Sequence, residues 1–259
     1  MRLYLLGATA LLLASAAPAY ADDAPAPTPE ITVNGSATLT SDYRFRGISQ
    51  TDKTVAVQGS ITVTHTSGFY VTVWGSSVDS YVTAKFTGHQ ELDLIAGYKK
   101  TIGKVTLDGG VLYYVYPGAH LAGDTSSSNF FEPYFDISTT LGPVTAKATV
   151  NYAPKQKALG LCQGGCGDVA QDNVYVAGDF SAAIPETPLG LTAHIGHTFG
   201  PSWLSIGTEY TDWSLGATVT WKALTLGVSY VDTDGDFITP LTGRNAAKAG
   251  VVASLTAAF

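Results

Sequence analysis

The sequence has 259 residues, a formal net charge of −7, only 14% charged and 11% aromatic residues, and a mean hydropathy of +0.15. An acidic chain with so few cations is not expected to bind nucleic acid. Soluble domains usually carry charge on roughly one quarter of their residues, so this composition argues against that class. No segment beyond the N-terminus has about 18 consecutive apolar residues, which excludes membrane-spanning helices.

The first 30 residues predict export. Arg2, the apolar run Leu3–Ala14 and Ala19-Tyr20-Ala21 have the order of a signal peptide with its cleavage site, so we assign residues 1–21 to a cleaved signal. Residues 22–30 are rich in Pro and Ala, which predicts a disordered periplasmic leader. An exported chain without a membrane helix is either a soluble periplasmic or secreted domain or an outer-membrane β-barrel.

From Ile31 onward, segments with period-two patterning are separated by short and long breakers in turn. Five short turns and six long loops join twelve strands, and this alternation is the rule for barrels with short periplasmic turns and long extracellular loops. The short breakers are Ser67-Gly68, Gly103-Lys104, Gly142-Pro143, Pro185–Gly190 and Lys222-Ala223. The long breakers are Gly47–Thr54, Asp79–His89, Pro117–Asn129, Lys155–Asp172, Gly200–Asp212 and Asp232–Lys248.

The strands place apolar residues on one parity and charges on the other. Strand one, taken as 31–46, sets Tyr43 and Phe45 on its apolar face, and strand ten has Trp213 and Trp221 at the two ends of its outward face, as interfacial girdles require. A charge in the lipid midplane costs about 2–4 kcal/mol, so this segregation is informative.

The last strand alternates to its terminal aromatic, Phe259. Such an ending is typical of outer-membrane barrels, and we interpret Phe259 as a membrane-insertion signal read by the barrel-assembly machinery. The fold class is therefore predicted as all-β, a transmembrane antiparallel up-and-down barrel of about twelve strands over residues 31–259 in the bacterial outer membrane, in contact with lipid and lipopolysaccharide. The structural alternative is a soluble β-sandwich, which would expose charge where this chain has mostly Thr, Ser, Gly and Asn.

One segment carries a family resemblance. Ser41–Thr51 (SDYRFRGISQT) resembles the TorF family of porin-like proteins, and the similarity continues through Val57-Gln58-Gly59, Gly68-Phe69-Tyr70, Trp74-Gly75-Ser76, Asp212-Trp213 and Tyr230–Asp234. The resemblance covers essentially the mature chain. It implies an outer-membrane barrel that passes small solutes, and it brings no catalytic residues.

Charged residues on the inward parity are the candidates for a pore lining, because such groups set ion selectivity in a water-filled pore. The alternative is that they pair with one another and fill a narrow lumen. The candidates are Asp42, Arg44, Arg46, Glu91, Asp93, Asp108, Glu132, Asp136, Lys147, Asp179 and Lys222.

Other motifs give weaker signals. Cys162 and Cys166 lie four residues apart in a long loop of an exported chain, which predicts a local disulfide rather than a metal site. Asp232–Asp236 lacks the Gly and Glu that an EF-hand requires, so we expect a solvated loop, and we predict no metal and no cofactor.

Three function classes remain. The first is a channel for passive diffusion of small hydrophilic solutes, leaning towards cations because of the acidic excess. The second is a non-conducting surface barrel whose extracellular loops bind a ligand, a partner or lipopolysaccharide. The third is an enzyme, which would need a His beside a Ser or a carboxylate; none of the five histidines has an evident partner in the sequence. We therefore expect no enzyme.

Overall fold

The computed structural model describes residues 29–83, 87–119, 127–161 and 169–259. Twelve strands form one closed antiparallel barrel in sequence order, and a two-stranded hairpin, β2–β3, lies in the first loop. The strands are β1 Ile31–Thr40, β2 Arg44–Phe45, β3 Ile48–Ser49, β4 Ala56–His65, β5 Phe69–Ser77, β6 Gln90–Ile102, β7 Val105–Val115, β8 Phe130–Leu141, β9 Val144–Gln156, β10 Gln171–Ala183, β11 Leu189–Phe199, β12 Tyr210–Trp221, β13 Leu224–Thr233 and β14 Gly250–Ala258.

In the described residues, helical structure is confined to three short 3-10 turns in the loops, Ser80–Val82, Lys157–Leu159 and Trp203–Ser205. Within the described ranges, no helix has the length and hydropathy needed to cross a membrane. The predicted signal peptide and residues 22–28 of the predicted leader lie outside the described residues. Glu30, assigned to the leader, is held at the turn end of the barrel, where its carbonyl accepts a hydrogen bond from Thr66 and its carboxylate lies 3.1 Å from His65.

The predicted twelve-strand barrel is confirmed. Short turns (66–68, 103–104, 142–143, 184–188 and 222–223) lie at one end, called here the turn end. The long connections 41–55, 78–89, 116–129, 157–170, 200–209 and 234–249 are called loops one to six, and their described parts lie at the other end, called here the loop end.

The barrel closes between its first and last strands. β1 pairs with β4 through ten residue pairs but with β14 through only five, from Ser36–Ala258 to Thr40–Ser254. Phe259 extends this seam, because its N–H donates to the Gly35 carbonyl (3.0 Å) and its carbonyl accepts from the Gly35 N–H (2.7 Å). Its ring covers the Cα of Gly35, where any Cβ would collide with the ring.

Alternation along each strand separates an apolar exterior from a polar interior. On β12, Trp213, Leu215, Val219 and Trp221 all point outward and are exposed, while Thr220 belongs to the lining of the lumen. An exposed belt of large aliphatic and aromatic side chains is stable only against lipid. The chain needs few charged residues because its outer face contacts lipid and its polar residues line the interior.

The first predicted strand is too long. β1 ends at Thr40, and the chain then turns into the barrel mouth instead of continuing outward. Tyr43 and Phe45, which alternation assigned to the lipid face, are a buried residue and a partly buried one inside the loop end. Alternation fails here because the Asp42 carboxylate accepts hydrogen bonds from Arg44, Ser49 and Thr51 (2.6, 2.6 and 3.2 Å). These bonds fold the segment into a compact loop.

The described parts of all six loops meet across the loop end in two apolar clusters, which we call the loop plug. Backbone and side-chain hydrogen bonds join the loops, among them Asp79 N–H to the Gln50 carbonyl (2.7 Å) and Trp203 Nε1–H to the Val82 carbonyl (2.9 Å). The buried residues of the loop plug that belong to the loops are Tyr43, Ile48, Val78, Tyr81, Val82, Ala158, Leu159, Leu204, Ala246 and Ala247.

The lumen as candidate functional site

The interior of the barrel holds a cavity of about 2070 Å³ that extends from the turn end to the loop plug. Thr64, Thr101 and Thr140 line it near the turn end, and Trp74 and Tyr114 line it at the inner end. A second cavity of about 50 Å³ lies within the plug. Phe45 and Tyr114 line both cavities, so they stand at the boundary between them.

Loop one reaches this boundary through the β2–β3 hairpin. Arg46 and Gly47 form its two-residue turn with φ values of 48° and 78°, and positive φ at both positions is what a type I′ hairpin turn requires. Glycine adopts this conformation without strain, whereas arginine does so at a cost. A Cβ on Gly47 would also collide with Thr233 and lie 2.8 Å from the Cβ of Asp212, so the turn is pressed against the barrel wall.

Arg46 is the residue that ties the hairpin to the wall. Its Nη2 donates to both carboxylate oxygens of Glu132 on β8 (2.7 and 2.8 Å), and its Nη1 donates to Oδ1 of Asn173 on β10 (3.0 Å). Its guanidinium also lies 4.2 Å from the ring centroid of Tyr175. Burial lowers the pKa of Arg46, but the charge of Glu132 outweighs it and raises the pKa above its ordinary value. The guanidinium is therefore always charged.

Arg44 ties the same hairpin to loop six. Its Nε lies 2.6 Å from Asp42, and its Nη1 donates to the carbonyls of Gly47, Ala246 and Lys248 (2.9, 3.2 and 3.2 Å). Asp42, Arg44 and Arg46 all border the large cavity, but they do so from loop one and its hairpin and not from a barrel strand, which corrects the sequence prediction.

Further towards the turn end, the lumen wall carries paired charges. Lys99 Nζ lies 3.0 Å from Asp108, and Lys147 Nζ lies 3.1 Å from Asp179 and 3.9 Å from Asp136. Both predicted alternatives therefore coexist in the geometry: these side chains line the cavity and also pair with one another. Lys222 lies in the 222–223 turn, where its Nζ sits 4.8 Å from the Trp221 ring centroid, at the rim of the cavity.

Glu91 and Asp93 lie at the inner end of the lumen, two residues apart on the same face of β6. Glu91 accepts a hydrogen bond from the Tyr43 hydroxyl (2.7 Å), and burial together with the charges of Glu91 and Asp93 raises the pKa of Tyr43 well above its usual range. Asp93 is 6% exposed, and its Oδ1 is buried without a hydrogen-bond partner among the described residues. The two cysteines predicted to form a disulfide, Cys162 and Cys166, lie outside the described residues.

His194 has partners that the sequence did not reveal. Its Nδ1 lies 2.7 Å from Asp179 and its Nε2 lies 3.0 Å from Asp212, while Tyr175 donates to Asp212 (3.0 Å). These residues come from β10, β11 and β12, so only the strand register brings them together. The sequence shows no evident partner for His194 but does not exclude such a long-range pair, and no serine or cysteine among the described residues hydrogen-bonds to His194.

A second histidine arrangement has the order of a hydrolytic triad. His65 Nδ1 lies 2.7 Å from Ser67 Oγ, and His65 Nε2 lies 3.1 Å from Glu30. However, the Ser67 backbone N–H also donates to Nδ1 (3.1 Å), and all three groups lie on the exposed turn end. These bonds close the 66–68 turn, and an exposed turn lacks the enclosed site in which a nucleophile is activated.

Comparison with known proteins places the chain in a family. The family profile for bacterial proteins of unknown function named Gcw_chp matches residues 24–259. The chain belongs to the Gcw_chp family. No curated protein matches the sequence of this Gcw_chp chain.

Solved outer-membrane channels share the fold of this Gcw_chp barrel. The NanC porin structure superposes with a TM-score of 0.54 at 10% identity, covering 88% of this chain and 99% of that one. The COG4313 outer-membrane channel from Pseudomonas putida F1 gives a TM-score of 0.50 at 11% identity, covering 92% and 99%. At these identities the likeness shows the fold alone, a closed antiparallel β-barrel.

Proposed function

We propose that this protein is an outer-membrane channel for passive diffusion of small hydrophilic solutes. The observation that carries the proposal is the cavity of about 2070 Å³ lined by Thr, Ser and charged side chains inside a closed barrel. A polar lumen in a lipid-facing cylinder provides hydration for solutes that the hydrocarbon excludes. The sequence resemblance to the TorF family agrees with this proposal, which includes export by a cleaved signal peptide and insertion by the barrel-assembly machinery.

We further propose that the loop plug is the gate of this channel. The β2–β3 hairpin crosses the inner end of the lumen and is held there by the bidentate Arg46–Glu132 pair. Breaking this pair would free the hairpin to leave the mouth, and the lumen would then open at both ends.

The ion preference depends on Asp93 more than on net charge. The acidic excess of the sequence does not extend to the cavity lining, where six carboxylates face six Lys and Arg side chains, besides His65 and His194. The carboxylates are Asp42, Asp93, Asp108, Asp136, Asp179 and Glu186, and the basic groups are Arg44, Arg46, Lys99, Lys104, Lys147 and Lys222. Asp93 has no basic partner among the described residues, so we expect a weak cation preference.

Planar-bilayer recording in asymmetric KCl tests the channel. We expect the wild-type chain to give brief conductance steps and Arg46→Gln to give longer openings. For both proteins the reversal potential should indicate a preference for potassium over chloride. Folding of each variant is checked by its heat-dependent gel mobility. An anion-side reversal potential would contradict the charge argument.

The loop plug also supports a second candidate, a non-conducting surface barrel whose loops bind a ligand, a partner or lipopolysaccharide. Packing of the described parts of all six loops into two apolar clusters makes a defined outer surface rather than an open mouth. If folded wild-type and Arg46→Gln proteins both give no conductance steps, this second function replaces the channel.

A further inference from the structure

The inner end of the lumen combines an unpaired carboxylate with aromatic walls. Asp93 on β6 lies directly between Trp74 on β5 and Tyr114 on β7 in the strand register. Tyr43 and Phe45 of loop one extend these walls, with ring centroids 5.4 Å from Trp74 and 6.1 Å from Tyr114 respectively. All five residues border the large cavity, so the site faces the lumen.

The neighbouring acidic groups are already satisfied, and Asp93 is not. Glu91 accepts from Tyr43, and Glu132 accepts from Arg46, from Tyr114 (3.1 Å) and from Asn151 (3.2 Å). Among the described residues, no basic side chain forms an ion pair with Asp93. A carboxylate buried beside two others without a counter-charge is costly, so the site favours a positive group supplied from the lumen.

The surroundings select an organic cation over a metal ion. No cluster of three or more metal-ligating side chains is found in the described part of the chain, and the cross-strand neighbours of Asp93 are the aromatic residues Trp74 and Tyr114. Aromatic faces attract ammonium and guanidinium groups but offer a metal ion no oxygen ligands. We propose that Asp93, Trp74 and Tyr114 form a binding site for the cationic amino group of a small organic solute, a substrate class that rests on the proposed channel function.

Isothermal titration calorimetry of the full chain in detergent tests this site without measuring conductance. The probe is benzylammonium, and benzyl alcohol is the uncharged comparison. We expect saturable heat for benzylammonium only, a loss of affinity of at least about tenfold in Asp93→Asn, and a weaker loss in Trp74→Leu. Excess potassium chloride should leave most of the binding intact, because potassium has little affinity for aromatic walls in water.

The matched control is Asp136→Asn, which removes one carboxylate from the same lumen. In the strand register Asp93 is level with Tyr114 and Phe130, and Asp136 lies six residues further along β8, about 20 Å away at the usual rise per residue, which exceeds the screening length of about 10 Å. We expect its affinity to stay within about twofold of wild type.

Equal losses in Asp93→Asn and Asp136→Asn would overturn the site in favour of general lumen charge. If the wild-type protein does not bind benzylammonium, the proposed site is wrong, and Asp93 is then protonated and uncharged. Binding without conductance would remove the channel proposal and keep the site, whereas conductance without binding would do the reverse. If Asp93→Asn does not fold, the affinity of Trp74→Leu for benzylammonium tests the site instead. An affinity equal to that of wild type would show that the aromatic wall does not contribute, and the proposed site would be wrong.

Discussion

At the scale of single residues, Arg46 combines backbone strain with an unusually complete set of partners. A positive φ in a residue other than glycine costs on the order of 1–3 kcal/mol, yet the side chain makes a bidentate ion pair, a bond to Asn173 and two ring contacts. The side chains of Arg46 and Glu132 are 5% and 0% exposed. Strain that is balanced by specific contacts is a common property of clamps and switches.

We expect Arg46→Gln to lower the free energy of unfolding by about 3–5 kcal/mol, because Glu132 is left buried without its charge partner. The measurement is equilibrium urea unfolding of the refolded protein in lipid vesicles. The double variant Arg46→Gln/Glu132→Gln removes both charges and should recover most of the loss. A double variant no more stable than Arg46→Gln would show that the pair is not the source of the effect.

At the scale of elements, the β2–β3 hairpin is the part of the fold that sequence patterning could not place. Period two continues through Tyr43 and Phe45, so alternation alone extends β1 into the loop. The Arg46-Gly47 turn and the clustering of side chains around Asp42 redirect the chain, and both depend on contacts with distant strands. The apolar Tyr43 and Phe45 then face the plug instead of lipid.

Gly47→Ala tests whether the hairpin needs close contact with the wall. An added Cβ at Gly47 meets both an unfavourable φ of 78° and a collision with Thr233. Gly142→Ala is the matched control, since Gly142 has a φ of 61° but no atom within 4 Å of the added Cβ.

We expect roughly 1 kcal/mol of destabilisation for Gly142→Ala and clearly more for Gly47→Ala, measured by the same urea unfolding. Gly47→Ala should also lengthen channel openings. Equal costs for the two variants would mean that the wall contact contributes nothing.

At the scale of the whole molecule, the sequence was sufficient for the architecture because a barrel is specified by local patterns. Alternating parity and the two breaker lengths predict twelve strands without any knowledge of long-range contacts, and the barrel has that number. The lumen chemistry was only partly predictable. Parity and the Gly142-Pro143 turn place Asp136, Lys147 and Asp179 close together, but they do not give the pairing of Lys99 with Asp108. The pairing of His194 with Asp179 and Asp212 required the strand register, as did the position of Trp74 beside Asp93.

A charge on the outer face tests the orientation of the whole barrel. Leu215 lies near the middle of β12 and is 58% exposed, so Leu215→Arg would place a guanidinium in the hydrocarbon and cost about 2–4 kcal/mol. Ser229 on β13 pairs with Gly216, the residue that follows Leu215 on β12, and its side chain lines the lumen. Ser229→Arg is therefore the control at the same depth. Unfolding in lipid vesicles should separate the two variants, and a costlier Ser229→Arg would reverse the assignment of inside and outside.

The short register between β1 and β14 has a consequence for how the cylinder comes apart. Every other junction joins barrel strands that follow one another along the chain. The β1–β14 junction joins segments more than 200 positions apart, and it has half the residue pairs of the β1–β4 junction. Closing such a distant contact is entropically expensive and comes late. Unzipping under denaturant or force should therefore start there, and hydrogen exchange should be fastest along that line.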